Sequence, residues 1–339
     1  MTLLLLNEDE LRQLITLPEA VEAIRAALLA SAEGRLETPG GFSLDLPDVN
    51  GKVQVTGVHF SESPYFAVRI GSHYVDNPKA GLPVDSGLLA VFETATGLPA
   101  ALMVDNGYLA NLRVGAVGAL VAEALANPRL EKVAVLGAGP QAYYQLKALL
   151  ALRQPGVVWV WDSPPLAVDT FIRQLIEEHA LDLRPAEGLP AVLQQADLVI
   201  LTDIALPSPI RLDELKPGAH LTIVSAEPVA RPRLEPALLS RADLLWADNP
   251  DRCRQQGELS HASDNLKADL QKLSDVIAGR LAGRTRPDQL SVTELVGLAA
   301  HDTALAALAL DKALFFGLGQ QIEAGLGQKG LTAGLEVRA

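Results

Sequence analysis

The feature that most restricts this chain is short. A buried-looking apolar run, Lys132–Leu136, leads straight into Gly137-Ala138-Gly139-Pro140-Gln141-Ala142, and a helical pattern follows through Leu152. A strand, a tight glycine turn and a helix in that order build the first unit of a dinucleotide-binding sheet. The first glycine permits the turn, and the second lets backbone N–H groups approach a pyrophosphate. The small Ala142 lets the helix pack against the strand, while the helix N-terminus offers partial positive charge to phosphates. The spacing Gly137-x-Gly139-x-x-Ala142 is a weak signal without context, but here the strand and helix flank it. An acidic residue, Asp162, also ends the second strand, 25 residues after Gly137. That carboxylate can accept both adenosine ribose hydroxyls and repels a 2′-phosphate, which favours NAD over NADP. Gly137, Gly139, Pro140, Gln141 and Asp162 are the cofactor-binding candidates, with Thr202 and Ser225 counted among them. A Rossmann-like domain that binds another nucleotide, or none, is the alternative.

The surrounding pattern supports this reading. Val157–Trp161 reads as a second strand and 166–179 as a second helix; Leu198–Leu201, 221–224 and Leu244–Ala247 are further apolar runs. Such alternation implies a parallel, doubly wound sheet. Before it, Leu3–Leu6 reads as a strand, and Leu17-Pro18-Glu19 opens a helix. Residues 51–74 read as strands, and Ala95-Thr96-Gly97 as a hairpin turn between 87–92 and Pro99–Val104. Residues 110–126 form a small-residue helix suited to close packing, and 290–316 reads as one helical return segment. At 339 residues two domains are expected. We place the first at 1–126 together with 304–339, and the Rossmann domain at 127–303, giving an α/β fold. The formal charge of −13, with nothing in the chain forming a basic stripe, argues against a nucleic-acid or anionic-membrane partner. One cysteine, Cys253, precludes an internal disulfide and fits a reducing, cytoplasmic setting.

Outside the glycine turn, several segments stand in one order: Val68-Arg69-Ile70, Asp76-Asn77-Pro78, Gly81-Leu82-Pro83, Asp105-Asn106-Gly107-Tyr108-Leu109 and Leu112-Arg113-Val114-Gly115-Ala116. Pro217-Gly218-Ala219-His220, Gly257-Glu258-Leu259, Glu294-Leu295-Val296-Gly297 and Asp302-Thr303-Ala304 continue it. Together these resemble the ornithine cyclodeaminase/μ-crystallin family, and their wording is most similar to ectoine-utilisation cyclodeaminase-like proteins and iminosuccinate reductases. The resemblance implies a substrate and dimerisation domain made from both chain ends, a homodimer, and a pocket between domains where nicotinamide meets an amino-acid Cα.

The sequence departs from the family pattern at the pocket. The family's lysine before Ile70 is Arg69, and a second lysine position falls on Thr56. The arginine of the next motif is kept as Arg113, whereas a basic residue expected soon after Pro39 is absent. The catalytic aspartate position is Glu227, in Val224-Ser225-Ala226-Glu227. Arg69 can grip a carboxylate but cannot give up its proton. With two other cations lost, a dicarboxylate substrate is disfavoured. The expected chemistry is an NAD(H)-dependent imine reductase or amino-acid dehydrogenase, with Arg69 and Arg113 on the carboxylate and Glu227 on the nitrogen proton. A cyclodeaminase without net redox, and a non-catalytic μ-crystallin-like binder, are the alternatives. His59, His73, Cys253, Trp159 and Trp161 read as structural. Asp105 and Asp302 read equally as structural or cofactor-adjacent.

Overall fold

The computed structural model describes residues 2–163, 165–178, 180–202, 204–225 and 231–323. The polar run after the first leucines turns a strand into a helix. Strand β1 (Thr2–Asn7) ends where Asn7 caps α1 (Glu8–Leu14): Asn7 Oδ1 accepts from Glu10 N at 3.0 Å, and Glu10 Oε2 accepts from Asn7 N at 2.9 Å. This reciprocal box satisfies two of the amides that a helix start leaves open.

Among the described residues, two eight-stranded sheets organise the chain. The first holds β1, β2 (Leu36–Glu37), β3 (Phe42–Leu46), β4 (Gly51–Phe60), β5 (Tyr65–Tyr74), β6 (Asp85–Glu93), β7 (Pro99–Val104) and β16 (Gln320–Glu323). Its order is β16-β1-β7-β6-β5-β4-β2, with β3 on β4. The β6–β7 hairpin turns at Gly97, whose φ is +69°. Helices α2 (Leu17–Ala32), α3 (Tyr108–Leu125) and α11 (Ala299–Phe316) share a core with this sheet: Ile24, Leu28, Leu89, Met103, Leu120 and Leu305 are all closed to solvent.

The second sheet contains β8 (Lys132–Leu136), β9 (Val157–Trp161), β10 (Leu183–Pro185), β11 (Leu198–Leu201), β12 (His220–Val224), β13 (Leu244–Ala247), β14 (Gln271–Lys272) and β15 (Ser291–Leu295). The order is β10-β9-β8-β11-β12-β15-β13-β14, and the pairings are parallel. Helices α4 (Pro140–Leu152), α5 (Pro165–Glu178), α6 (Leu189–Leu193), α7 (Pro236–Arg241), α8 (Pro250–Gln256), α9 (Asp264–Ala268) and α10 (Leu273–Ile277) lie between the strands in sequence. Val133 and Val135 enter one core while Ala134 and Leu136 enter another, so β8 is buried on both faces, as a doubly wound sheet requires.

One expectation needs correction. The segment 290–316 is not a single helix: 291–295 forms β15, inserted between β12 and β13. Ser-Val-Thr-Glu-Leu is buried at every position, and a strand covered on both faces carries no alternation to distinguish it from a buried helix.

Helix α3 joins the two sheets. Its 18 residues have a mean hydropathy of 1.3, enough by length and composition for a membrane span, yet 67% of it is buried inside the protein. Glycines set its approach to α4. A Cβ on Gly115 would lie 2.4 Å from Tyr144 O, and one on Gly118 would lie 1.8 Å from Gln145 Oε1. Gln145 Nε2 in turn donates to Val114 O at 2.6 Å. We expect Gly115→Ala to force the helices apart and cost about 1–3 kcal/mol, the usual penalty of overpacking. Urea unfolding should show a lowered midpoint; an unchanged midpoint would contradict the tight contact.

Candidate active site

Four residues follow neighbouring strands of the parallel sheet on its carboxyl edge: Gly137 after β8, Thr202 after β11, Ser225 after β12 and Gly297 just beyond β15. Ligands of such sheets bind along that edge. Gly137 has φ +114°, and a Cβ there would sit 2.0 Å from Thr202 Oγ1, so glycine is required by conformation and by space. Its N–H donates to Trp161 O at 2.8 Å. Gly139 caps α4 and Pro140 opens it, where a missing N–H does no harm. A Cβ on Gly139 would meet nothing within 4 Å, and Gln141 Oε1 is buried without a hydrogen-bond partner among the described residues. The Asp162 carboxylate holds the loop, accepting from Ala138 N at 2.7 Å and Ser163 N at 2.5 Å. An open cradle at a 13-residue helix start, with a carboxylate beside it, fits a dinucleotide.

At the end of the row lies a cavity of about 80 Å³, lined by Gln54, Thr56, Arg69, Gly71, Arg113, Arg252, Gly297, Leu298, Ala299 and Asp302. Thr56 and Arg69 are paired across β4 and β5. Arg69 Nη1 is 3.2 Å from Asp105 Oδ2 and 3.6 Å from Asp302 Oδ1, and all three side chains are buried. Burial works against the Arg69 charge, but Asp302 and Asp105 outweigh it and raise its pKa above the ordinary arginine value. Asp105 Oδ2 also accepts from Leu109 N at 3.0 Å, which joins this ion pair to the first turn of α3. Arg113 Nε lies 2.9 Å from Asp302 Oδ1 without hydrogen-bond alignment. Its buried Nε and Nη1 therefore have no hydrogen-bond partner among the described residues. Gly297, at φ +86°, makes room for this guanidinium: a Cβ would fall 2.7 Å from Arg113 Nη1.

The structure thus gathers Arg69 and Arg113 into one wall, with Asp105 behind them and Asp302 between them. Arg252, on α8, was missed by the sequence reading. Nothing local distinguishes it from Arg254, which donates to Asp251 and to Lys267 O instead. His59 and His73 do not line the cavity; His73 Nδ1 lies 2.7 Å from Asp85 Oδ1. Glu227 lies outside the described residues.

Beneath Ser225 runs a second buried network. Arg233 donates from Nη2 to Ser225 Oγ at 2.9 Å, from Nη1 to Thr202 O at 2.8 Å, and from Nε to Glu258 Oε2 at 3.1 Å. Glu294 accepts from the backbone N–H groups of Glu258 and Leu259. Burial pushes its carboxyl above the usual range, with those N–H groups and Ser225 opposing. Asp248 accepts from Val296 N at 3.0 Å and Gly297 N at 2.8 Å, fixing the loop that bears the cavity wall. Cys253 is buried beside these groups, and burial raises its thiol pKa far above normal.

Residues 2–315 match the family model described as ornithine cyclodeaminase/mu-crystallin. The chain belongs to the ornithine cyclodeaminase/mu-crystallin family. Within that family it is 33% identical to an uncharacterised cyclodeaminase of Sinorhizobium fredii, over 92% of this chain and 96% of that one. An archaeal alanine dehydrogenase dimer with bound NAD superposes with a TM-score of 0.87 at 25% identity, covering 95% of this chain and 99% of the other. Thermococcus litoralis Δ1-pyrroline-2-carboxylate reductase, solved with NADH and L-proline, also gives 0.87, at 23% identity over 94% and 100% of the two chains. The family's mixed α/β architecture is the one described above.

One buried group near the cavity makes a pH prediction. His301 on α11 is 1% exposed, and neither ring nitrogen has a hydrogen-bond partner among the described residues. Burial, then the charge of Arg113, lowers its pKa to about 3. The unfolded chain takes up a proton near pH 6.5 and the folded one near 3, so stability is complete above about 6.5 and falls as the pH drops through that window. His220, buried beside Ser291 and also lowered to about 3, adds the same slope. His301→Asn should flatten part of the decline in Tm between pH 7 and 5. An equal decline in the variant would show that His301 is already protonated in the folded state.

Proposed function

We propose that this protein is an NAD(H)-dependent imine reductase or amino-acid dehydrogenase acting at the Cα–N bond of a small carboxylate-bearing substrate. The observation that carries the reading is the row Gly137, Thr202, Ser225, Gly297. It starts at a dinucleotide cradle and ends at a small arginine-lined cavity on the same sheet edge. The bound NAD and NADH of the two structural relatives support the cofactor.

Gly137, Gly139, Pro140 and Gln141 would receive the pyrophosphate, Asp162 the adenosine ribose, and Thr202 and Ser225 the edge leading to the nicotinamide. When bound there, NAD(H) would provide or accept the hydride exchanged at the Cα–N carbon. Arg69 and Arg113 hold the substrate carboxylate. Arg69 is fixed by its two aspartates, while Arg113 keeps donors to spare. Arg69 cannot serve as acid or base, because two carboxylates hold its proton in place. We assign the nitrogen proton to Glu227, from its place in sequence after β12. We divide the chain into 1–126 with 304–339 and 127–303, and propose a homodimer, as the archaeal relative is a dimer. The one cysteine, buried and free, suits the cytoplasm.

A cyclodeaminase reading, in which ammonia leaves and no net redox occurs, is favoured by the name of the Sinorhizobium relative. The two are separated by incubating glyoxylate, pyruvate or 2-oxobutyrate with ammonia or methylamine and NADH, alongside ornithine with NAD+. We expect NADH consumption with one of the oxo acids, and a loss of roughly 10²–10⁴-fold in kcat for Glu227→Gln. Ammonia release from ornithine without net redox would instead establish the cyclodeaminase. Silence in both assays would leave a binding protein.

Asp162 sets the choice of cofactor. Asp162→Ser should weaken NADH binding and narrow its advantage over NADPH, since the 2′-phosphate then meets no carboxylate. A fluorescence titration in which the unchanged protein prefers NADPH would end this assignment.

A further inference from the structure

The cavity wall contains a residue that the family resemblance did not assign. We propose that Arg252 is a specificity-determining residue which, beside Arg69, forms with Arg113 a two-arginine clamp on the substrate carboxylate. This rests on the reading of the cavity as the substrate site. Two guanidiniums from different parts of the fold converge on one backbone residue. Arg113, from α3, packs over Gly297, whose Cβ would fall 2.7 Å from Nη1 and 3.2 Å from Nη2. Arg252, from α8, places Nη1 3.4 Å from Gly297 O and lines the same cavity. Gln256, one turn on, keeps Arg252 extended. With its amide oxygen turned toward the arginine, it accepts from Nε and Nη2, both at 2.8 Å. The Asp248 carboxylate, holding Val296 N and Gly297 N, fixes the loop between the two arginines.

The chemistry of the donors separates Arg113 from Arg69. Arg69 divides its charge between Asp105 and Asp302, whereas Arg113 pairs with Asp302, Nε lying 2.9 Å from its Oδ1, and has buried Nε and Nη1 donors without aligned hydrogen-bond partners among the described residues. A carboxylate seated by Gly297 would satisfy those donors and bring a second guanidinium within reach, the arrangement that makes arginine–carboxylate recognition strong. Because α8 follows β13 of the parallel sheet and α3 shares a buried core with strands of the first sheet, a carboxylate gripped by both would tie the two halves together. The clamp reads the acid group common to small 2-oxo and 2-imino acids, and it rejects a neutral ester of the same shape.

The test is calorimetric, on the full chain loaded with NADH, using pyruvate and methyl pyruvate as probes. The unchanged protein should bind pyruvate at least 10-fold more tightly than the ester. Arg252→Gln should weaken pyruvate by about 10–100-fold, the loss expected for a charge-assisted hydrogen bond, and leave the ester's affinity as it was. Arg252→Lys should recover part of the loss through charge alone. Equal affinity for pyruvate in Arg252→Gln, no preference for pyruvate over its ester, or no binding of pyruvate to the unchanged protein would each overturn the clamp. A protein that binds pyruvate through Arg252 but turns over no imine would leave the clamp standing and refute the reductase.

Discussion

Charges buried together must alternate in sign, and the active-site half of this molecule is arranged around that requirement. Asp105, Arg69, Asp302 and Arg113 form a line in a space nearly closed to water. Each comes from a different place: the loop after β7, strand β5, helix α11 and helix α3. Taking one such ion out of water costs several kcal/mol, and a partner left alone is worse than no pair at all. The four are therefore mutually dependent. Residue 302 must return from the far end of the chain for residues 69 and 113 to be tolerated in the interior. This dependence explains why α11, although separated from β5 by the whole parallel sheet, packs against β4, β5, α2 and α3.

The second network solves a harder version of the same problem. Glu258 and Glu294 are both fully buried and adjacent, a contact that would be repulsive if each were left to itself. Arg233 answers Glu258, and backbone amides together with Ser225 answer Glu294. A Cβ on Gly257 would lie 2.3 Å from the Glu294 carboxylate, so any larger residue there would displace that side chain from the amides it accepts from. The short words Gly-Glu-Leu and Glu-Leu-Val-Gly are thus two sides of one buried contact. They support the floor under Ser225 and the loop that carries Gly297.

The glycine turn, its strand and its helix were legible from residues alone, because each rests on local chemistry: a positive φ at Gly137, a proline at a helix start and a short run of buried apolar residues. The close packing of α3 was legible too, from Gly115 and Gly118. Strand β15 was not, since burial on both faces erases the alternation that marks a strand, and the Ala-rich helix after it lent its pattern to its neighbour. Arg69 and Arg113 were found through resemblance rather than through spacing. Arg252 was invisible either way: its local sequence resembles that of Arg254, and only the tertiary fold turns one of them toward the cavity and the other toward Asp251.

The strand order carries a consequence for how the protein is made. β13 and β14 join the parallel sheet through β15, which is last of its strands in sequence. A chain emerging from the ribosome can assemble β8 to β12 as soon as they are out. Strands β13 and β14, and α8 with its arginine, have no place to dock until residue 295 has emerged. For that interval the carboxyl edge of β12 is open and its apolar flank unpaired, a state in which sheet edges are prone to find partners elsewhere. The last strand is a keystone: until it is set, the nascent protein has a nucleotide cradle with no far wall.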